Sequence, residues 1–244
     1  MACATSAIYS DASDSGFGGF SVQLSDSVCA GLWSDSESKE SSTSRELRAL
    51  LYVLRSLGTQ LRGKKLKWYT DSQNACRIIS VGSTNANLHD LSIDLYNCGM
   101  DLNIHIEPEW LPRELNSRAD QLSRFIDPDD WSLNRSVFSH LDKRFGPHTV
   151  DRFASHYNAQ LSRFNSRFWN PGCEAADSLT QNWACENNWV FPSAFIVLKA
   201  VQHMRECKSY GTVIVPEWPS APFWPALSPT LGFLRTYLVA HSFA

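Results

Sequence analysis

One stretch near the start of the chain constrains the fold more than any other, because it places a carboxylate inside a strand pattern. Residues 7–11 alternate as on a strand, residues 14–16 (Asp-Ser-Gly) form a turn pattern, and residues 17–24 are typical of a returning strand. Asp is depleted in strands and costly to bury without a partner. Asp11 therefore either ends the strand and hydrogen-bonds the turn, or ligates a metal.

The rest of the first half predicts a mixed sheet. We expect a third strand at 28–33 and then a helix that opens at 43–46, whose apolar residues are Leu47, Leu50, Leu51, Leu54 and Leu57. A strand at 66–71, helices from Ser72 and over 87–98, a strand at 103–107 and a loop at 110–115 follow. The last helix is capped by Asn116 and has Ala119, Leu122 and Ile126 on its inner face. Three strands followed by alternating helices and strands give an α/β protein with a five-stranded mixed sheet and flanking helices.

The second half has a different character and predicts a smaller α/β domain. Six of the nine tryptophans lie from Trp131 onward. Strand patterns at 149–153, 188–191 and 211–215, with an amphipathic helix at 193–208, indicate a βαβ unit. We therefore expect a first domain at 6–127, a linker or helix at 128–147 and a second domain at 148–235.

Composition excludes several classes of protein. The formal net charge of −3 argues against a wholly basic surface, so a nucleic acid would have to bind a local patch. The seven cysteines are scattered and never in C-x-x-C spacing, which favours an intracellular protein with reduced thiols over a disulfide framework or zinc site. No apolar run reaches the roughly 20 residues of a membrane span, and the N-terminus has no signal-peptide pattern.

Four acids stand in suggestive places: Asp11, Glu46, Asp71 and Asp120. Each has a local explanation, since Thr43-x-x-Glu46 fits a capping box, Asp71 fits an N-cap, and Asp120 suits a helix dipole. Together they suggest more, because Asp11 and Asp71 would lie on neighbouring strands while Glu46 faces the sheet. Clustered carboxylates need a neutralising cation, and Mg²⁺ takes oxygen ligands.

Four motifs containing these acids resemble the type I ribonuclease H domain, in family order and spacing, over about residues 6–127. They are Tyr9-Ser10-Asp11-Ala12-Ser13, Ser44-Arg45-Glu46-Leu47, Tyr69-Thr70-Asp71-Ser72-Gln73-Asn74 and Asn116-Ser117-Arg118-Ala119-Asp120. The resemblance implies a ribonuclease H-like sheet and two-metal hydrolysis of the RNA strand of an RNA·DNA hybrid. It makes Asp11, Glu46 and Asp71 catalytic metal ligands, completed by Asp120, for Mg²⁺ with Mn²⁺ as a substitute.

The substrate contacts that the resemblance implies are Ser13, Asn74, Arg113, Asn116 and Arg118. The family's histidine before the last helix is missing, and the sequence there is Trp110-Leu111-Pro112-Arg113. We expect Arg113 to substitute for this histidine only in part, which affects the turnover rate more than the activity itself. Arg113, Arg118 and Arg124 either contact phosphates or form an ordinary solvated face.

The sequence of residues 110–124 is similar to that of the ribonuclease H of retroelements, above all DIRS-like elements with a tyrosine recombinase. This resemblance implies the reverse transcriptase of the same element as a partner. The lack of an apolar span, noted above, predicts no membrane partner. Three segments, at 151–158, 188–193 and 213–218, are similar in order to phage-type DNA N6-adenine methyltransferases. The alternative is a tryptophan-rich packing domain without chemistry.

Three functions follow as hypotheses: a metal-dependent ribonuclease H, an inactive nucleic-acid-binding or assembly module, and an adenine methyltransferase. The methyltransferase family has Asn-Pro-Pro-Tyr where this chain has Phe191-Pro192-Ser193-Ala194. Phe191 accepts no hydrogen bond from a target amine, and Ala194 offers no ring for stacking. We therefore expect no methyl transfer, with Asp151 a structural acid.

Overall fold

The computed structural model describes residues 5–24, 27–127 and 130–227, and these divide into two compact units. The first unit comprises the described residues up to Ile126 together with Phe168–Pro171, and the second comprises Asp127–Arg167 and the chain from Gly172 onward. Within these ranges no helix has both the length and the apolar character needed to cross a membrane.

The units differ from the expected domains in two ways. The predicted linker, as far as it is described, belongs to the second unit, and Phe168–Pro171 belongs to the first. Residues 128, 129 and 228–235 of the expected linker and second domain lie outside the described residues.

The first unit is built on one mixed sheet. Among its described residues the elements are β1 (Thr5–Ala12), β2 (Gly16–Ser21), β3 (Val28–Leu32), α1 (Ser42–Leu61), β4 (Lys65–Thr70), α2 (Gln73–Val81), α3 (Ala86–Asp101), β5 (His105–Trp110) and α4 (Ser117–Ser123). The strand order is β3-β2-β1-β4-β5. The β3-β2-β1 pairs are antiparallel and the β1-β4-β5 pairs parallel. This confirms the predicted fold class, a five-stranded mixed sheet with flanking helices.

The core of the first unit lies between the sheet and α1. All five predicted leucines of α1 are buried, together with Ile8 of β1, Leu66 and Trp68 of β4, and Phe17 of β2. The i, i+3, i+4 spacing of these leucines puts them on one helix face, which is why the pattern predicts both the helix and its buried side.

Two predicted boundaries are wrong. β5 continues past Pro108 to Trp110, whereas the sequence predicts a strand ending at Glu107, because an edge strand tolerates a proline that cannot donate. α4 ends at Ser123, so Ile126 lies beyond the helix and is 67% exposed rather than on an inner face.

The second unit contains a small parallel sheet. Its described elements are α5 (Arg135–Phe145), β6 (Val150–Asp151), β7 (Asn165–Ser166), β8 (Ala175–Ala176), β9 (Asn187–Val190), α6 (Val197–Glu206) and β10 (Tyr210–Val213). One sheet has the order β10-β9-β6, all parallel, and β7 pairs with β8. β9, α6 and β10 form the predicted βαβ unit, although a 3₁₀ turn at Ala194–Ile196 replaces the first turn of the predicted helix.

The predicted linker is part of the core of the second unit. Phe138 and Leu141 of α5 are buried, and the ring of Phe138 lies 4.8 Å from that of Trp189 in β9, edge to face. Burial of this apolar face stabilises α5 as a packed element. The segment at 128–147, predicted as a linker or helix, thus contains the helix α5.

Candidate metal centre

Three of the four predicted acids converge at one edge of the sheet in the first unit. Asp11, Glu46 and Asp71 each offer a carboxylate oxygen, and these oxygens all lie within 4.8 Å of one another. β1 and β4 are parallel neighbours in which Tyr9 pairs with Tyr69, so the acids two residues further along each chain meet at the same edge. Glu46 comes from the first turns of α1, which packs against this sheet.

Glu46 and Asp71 do not have the helix-capping roles that their local sequence suggests. Ser41 caps α1 by accepting a hydrogen bond from the Ser44 N–H, so Thr43 and Glu46 do not form a capping box. Ser72 caps α2 by accepting from the Ala75 N–H, so Asp71 is not the N-cap. Serines perform the capping, and both carboxylates point elsewhere.

Asp11 likewise has no part in the turn that follows it. The turn is held by Ser13, whose Oγ accepts from the Gly16 N–H at 3.0 Å. Asp11 lies inside β1, buried, and its Oδ2 accepts a 2.7 Å hydrogen bond from the Ser123 hydroxyl of α4.

The electrostatics of the three acids are unfavourable without a cation. Burial is the main cause of a raised pKa at Asp11; the hydrogen bond from Ser123 opposes it, and the charges of Asp71 and Asp120 add to it. Burial, followed by the charges of Asp11 and Asp71, raises the pKa of Glu46 to about 9. A cation bound among these oxygens would remove most of that cost.

Side chains outside the acids hold the centre in place, and sequence reasoning missed most of them. The Ser123 hydroxyl links Asp11 to the Asp120 carbonyl oxygen, at 2.7 and 2.9 Å. The indole N–H of Trp110 donates to the Asp71 carbonyl oxygen at 3.0 Å. Ser123 lies three positions after Asp120, and Trp110 ends the strand beside β4. The spacing of these residues in the sequence does not predict which group either of them contacts.

Asp120 lies outside the group of three. Its Oδ1 accepts one hydrogen bond from Arg113 and one from Arg124, each 2.7 Å long. The three side chains are 19%, 65% and 54% exposed, respectively.

The predicted substrate contacts fall in different settings. Ser13 holds the β1–β2 turn, Asn74 is exposed in the first turn of α2, and the Arg118 guanidinium stacks over the Phe20 ring at 4.3 Å. Asn116 is only 1% exposed, and its amide donates to the Ser10 carbonyl oxygen at 3.0 Å. It occupies the N-cap position of α4 but its side chain makes no capping bond, because that amide fixes β1 instead.

The donor set suits a hard divalent cation. Three carboxylate oxygens at one edge of the sheet match the oxygen ligands that Mg²⁺ and Mn²⁺ take, and neither cysteine nor histidine belongs to the group. The residues present therefore fit the metal that the sequence implies.

Comparisons with known proteins find likenesses among solved structures. No protein-family model matches the chain, and no curated protein matches it. The crystal structure of LC11-RNase H1 in complex with RNA/DNA hybrid is 19% identical over 48% of this chain and 93% of its own, with a TM-score of 0.40.

Two further structures align with a similar share of this chain. RNase H1 from the halophilic archaeon Halobacterium salinarum NRC-1 is 17% identical over 49% of this chain and 94% of its own, with a TM-score of 0.41. The foamy viral protease-reverse transcriptase in complex with RNA/DNA hybrid is 15% identical over 50% of this chain and 19% of its own, with a TM-score of 0.36. The fold itself rests on the strand order and directions described above.

Proposed function

We propose that the first unit is a divalent-metal-dependent nuclease that hydrolyses the RNA strand of RNA·DNA hybrids. The observation that carries this proposal is the convergence of Asp11, Glu46 and Asp71, with oxygens within 4.8 Å, from three elements far apart in the sequence. The order and spacing of the ribonuclease H-like motifs that contain these acids support the hybrid as the substrate.

The residues of the chain have distinct roles in this mechanism. Asp11, Glu46 and Asp71 would hold Mg²⁺, or Mn²⁺ in its place. The bound cations supply activation of the attacking water and stabilisation of the leaving oxygen. Ser123 orients the carboxylate of Asp11, and Trp110 fixes the backbone at Asp71.

Other residues would contact the substrate around this centre. Ser13 and Asn74 flank the acids, and Arg118 presents an exposed guanidinium held over Phe20. The reaction joins a water oxygen to phosphorus and breaks the bond to the 3′ oxygen. Its products carry 3′-hydroxyl and 5′-phosphate ends.

The deciding experiment is cleavage of a labelled hybrid in Mg²⁺ or Mn²⁺, with duplex DNA as the substrate that should be spared. Asp11→Asn and Asp71→Asn should each abolish cleavage without unfolding the protein, because each removes a ligand charge but little volume. Asp101→Asn, at an exposed acid of α3, is the matched control and should cleave as the parent does. Full activity of either ligand variant would refute the site.

We place this activity in the reverse transcription of a DIRS-like retroelement, with the reverse transcriptase of the same element as partner. The supporting observation is the similarity of residues 110–124 to the ribonuclease H of such elements. An inactive assembly module is the competing function, and it predicts hybrid binding without cleavage.

We propose that the second unit has no methyltransferase activity. Phe191 follows β9 at the position where the methyltransferase family has a hydrogen-bond acceptor, and Asp151 is buried, accepting from the Gln160 N–H at 3.0 Å. Asp151 thus acts as a structural acid. Incubation with labelled S-adenosylmethionine and adenine-containing DNA should give no incorporation above a no-enzyme control, and incorporation that disappears in Phe191→Ala would contradict this.

A further inference from the structure

A carboxylate bound by two arginines lies beside the metal centre of the first unit. Arg113, in the turn after β5, and Arg124, just past the end of α4, each donate through one terminal guanidinium nitrogen to the same oxygen of Asp120. Charge-assisted bonds of this kind are among the stronger polar contacts in proteins. Asp120 therefore has two cationic partners.

Both guanidinium groups remain open to a ligand. More than half of each arginine side chain is exposed, at 65% for Arg113 and 54% for Arg124. Each guanidinium has five N–H donors and uses one nitrogen to bind Asp120, so N–H groups in its plane remain to bind an anion. Together the three side chains carry a net charge of +1.

The arginine pair is fixed relative to the acids. The Ser123 hydroxyl contacts both Asp11 Oδ2 and the Asp120 carbonyl oxygen, so one turn of α4 carries Asp120 at one end and a support of Asp11 at the other. Arg113 lies close enough for the charges of Asp71 and Asp11 to raise its pKa, after the larger effects of the hydrogen bond to Asp120 and its charge. An anion held by these arginines would therefore lie next to the metal centre.

We propose that Asp120 is a positioning residue rather than a metal ligand, and that it holds Arg113 and Arg124 as a clamp for a phosphodiester group of the nucleic-acid backbone. This inference rests on the proposed function of the same site and names the part of the substrate that the clamp takes. We call the three residues Arg113, Asp120 and Arg124 the arginine clamp.

The contacts of Asp120 favour this role over metal ligation. The oxygens that approach one another within 4.8 Å come from Asp11, Glu46 and Asp71. For Asp120 to join them, it would have to give up two charge-assisted hydrogen bonds, each 2.7 Å long. Two fork-shaped cations held by one carboxylate are instead a geometry that suits a phosphate.

The first test measures binding of an RNA·DNA hybrid in EDTA, where no metal contributes and no cleavage occurs. Arg113→Ala/Arg124→Ala should weaken binding and lower the slope of log K against log salt by about one unit for each lost phosphate contact. Asp120→Asn should weaken binding about five- to tenfold, because the arginines lose their common anchor. Asp120→Glu, which keeps the carboxylate, should recover part of that loss.

A role of Asp120 through charge alone predicts the opposite result. Removing a negative charge next to a phosphate backbone would tighten binding. If Asp120 acts through the arginines, its replacement should change affinity by less than about twofold once Arg113 and Arg124 are both alanine. Tighter binding by Asp120→Asn, or an undiminished effect in the triple variant, would overturn the clamp.

The second test measures metal binding directly, by calorimetric titration with MnCl₂. Asp120→Asn should bind Mn²⁺ within about threefold of the parent, while Asp11→Asn should lose the ion. Loss of Mn²⁺ binding in Asp120→Asn comparable to that in Asp11→Asn would overturn the inference. The proposed nuclease function is judged separately, by cleavage of the hybrid by the parent protein in Mg²⁺.

Discussion

At the residue scale, the predicted acids divide according to which partners the fold gives them. Asp11, Glu46 and Asp71 meet because a parallel strand pair and the adjacent helix bring them together, which the joint pattern of strand ends and helix start anticipates. Asp120 has a similar sequence context but pairs with Arg113 and Arg124. The Asp120–Arg124 pair has the i, i+4 spacing of neighbours on a helix, which local spacing can anticipate. The pairing of Asp120 with Arg113 depends on where the turn after β5 meets α4, and local spacing does not encode that.

Asp151 offers a residue-scale prediction on pH. Burial raises the pKa of this carboxyl to about 6 from an ordinary 3.8, against hydrogen bonds from the Gln160 and Phe153 N–H groups that lower it. A raised acid pKa stabilises the folded state fully below the unfolded pKa, and this contribution is lost as pH rises through the folded pKa. The second unit should therefore lose about 2 kcal/mol of stability from pH 4 to 7.

The measurement is hydrogen exchange of the peptides that span β6 and β9, from pH 4 to 7 and corrected for intrinsic rates. Asp151→Asn should remove this part of the pH dependence, because the amide oxygen still accepts from Gln160 while no charge has to be buried. If protection from exchange falls with rising pH as steeply in Asp151→Asn as in the parent, Asp151 is not the source of this pH dependence. Asp101→Asn, in the first unit, should leave the profile unchanged.

At the element scale, packing between β2 and α4 depends on a residue without a side chain. Gly18 pairs with Asp11 across the hairpin, and a Cβ there would lie 2.4 Å from the Leu122 Cβ and from the Ser123 N. Contacts this short force one element to move. The position of Ser123, and with it the support of Asp11, depends on this close approach.

Gly18→Ala should therefore destabilise the first unit by about 1–3 kcal/mol and weaken Mn²⁺ binding, because α4 must shift away from β2. Denaturant unfolding and calorimetric titration measure the two effects. Ser21→Ala in the same strand is the control. The hydroxyl of Ser21 is buried and makes no hydrogen bond to the described part of the chain, so its removal should be nearly neutral. Equal stability of Gly18→Ala and the control would argue against tight packing here.

Sequence reasoning succeeds for elements whose pattern is long and fails where tertiary context decides. α1 spans 20 residues with a continuous apolar face, so its existence and buried side are both predicted. β5 contains Pro108, which a strand pattern rejects unless its place at the sheet edge is known. α4 ends at Ser123 although the apolar spacing continues to Ile126, so the spacing of apolar residues alone does not give that end.

At the scale of the whole molecule, the order of the chain and the membership of the two units do not coincide. Phe168–Pro171 lies beyond a long stretch of the second unit but belongs to the first. The Trp169 N–H donates to Ser56 Oγ at 2.9 Å, and the Arg55 guanidinium lies 4.7 Å from the Trp169 ring. A domain boundary inferred from the positions of proline, glycine and tryptophan cannot predict that residues 168–171 belong to the first unit.

Trp169→Ala should lower the stability of the first unit by about 2–3 kcal/mol, less than for a fully buried tryptophan because this ring is partly exposed. Hydrogen exchange of the α1 peptides around Arg55 and Ser56 should show the loss. Trp218→Ala, at a half-exposed ring of the second unit, is the control and should leave α1 unchanged. Unaltered protection of α1 in Trp169→Ala would contradict the packing described.

The return of Phe168–Pro171 also has a consequence in time. During synthesis the ribosome must add all of Asp127–Arg167 after Ile126 before it reaches the segment that completes the first unit. At about 5–20 residues per second this takes on the order of two to eight seconds. For that interval the nascent first unit has all five strands but lacks its final four residues, and its last step of maturation waits on translation of the unit that follows it.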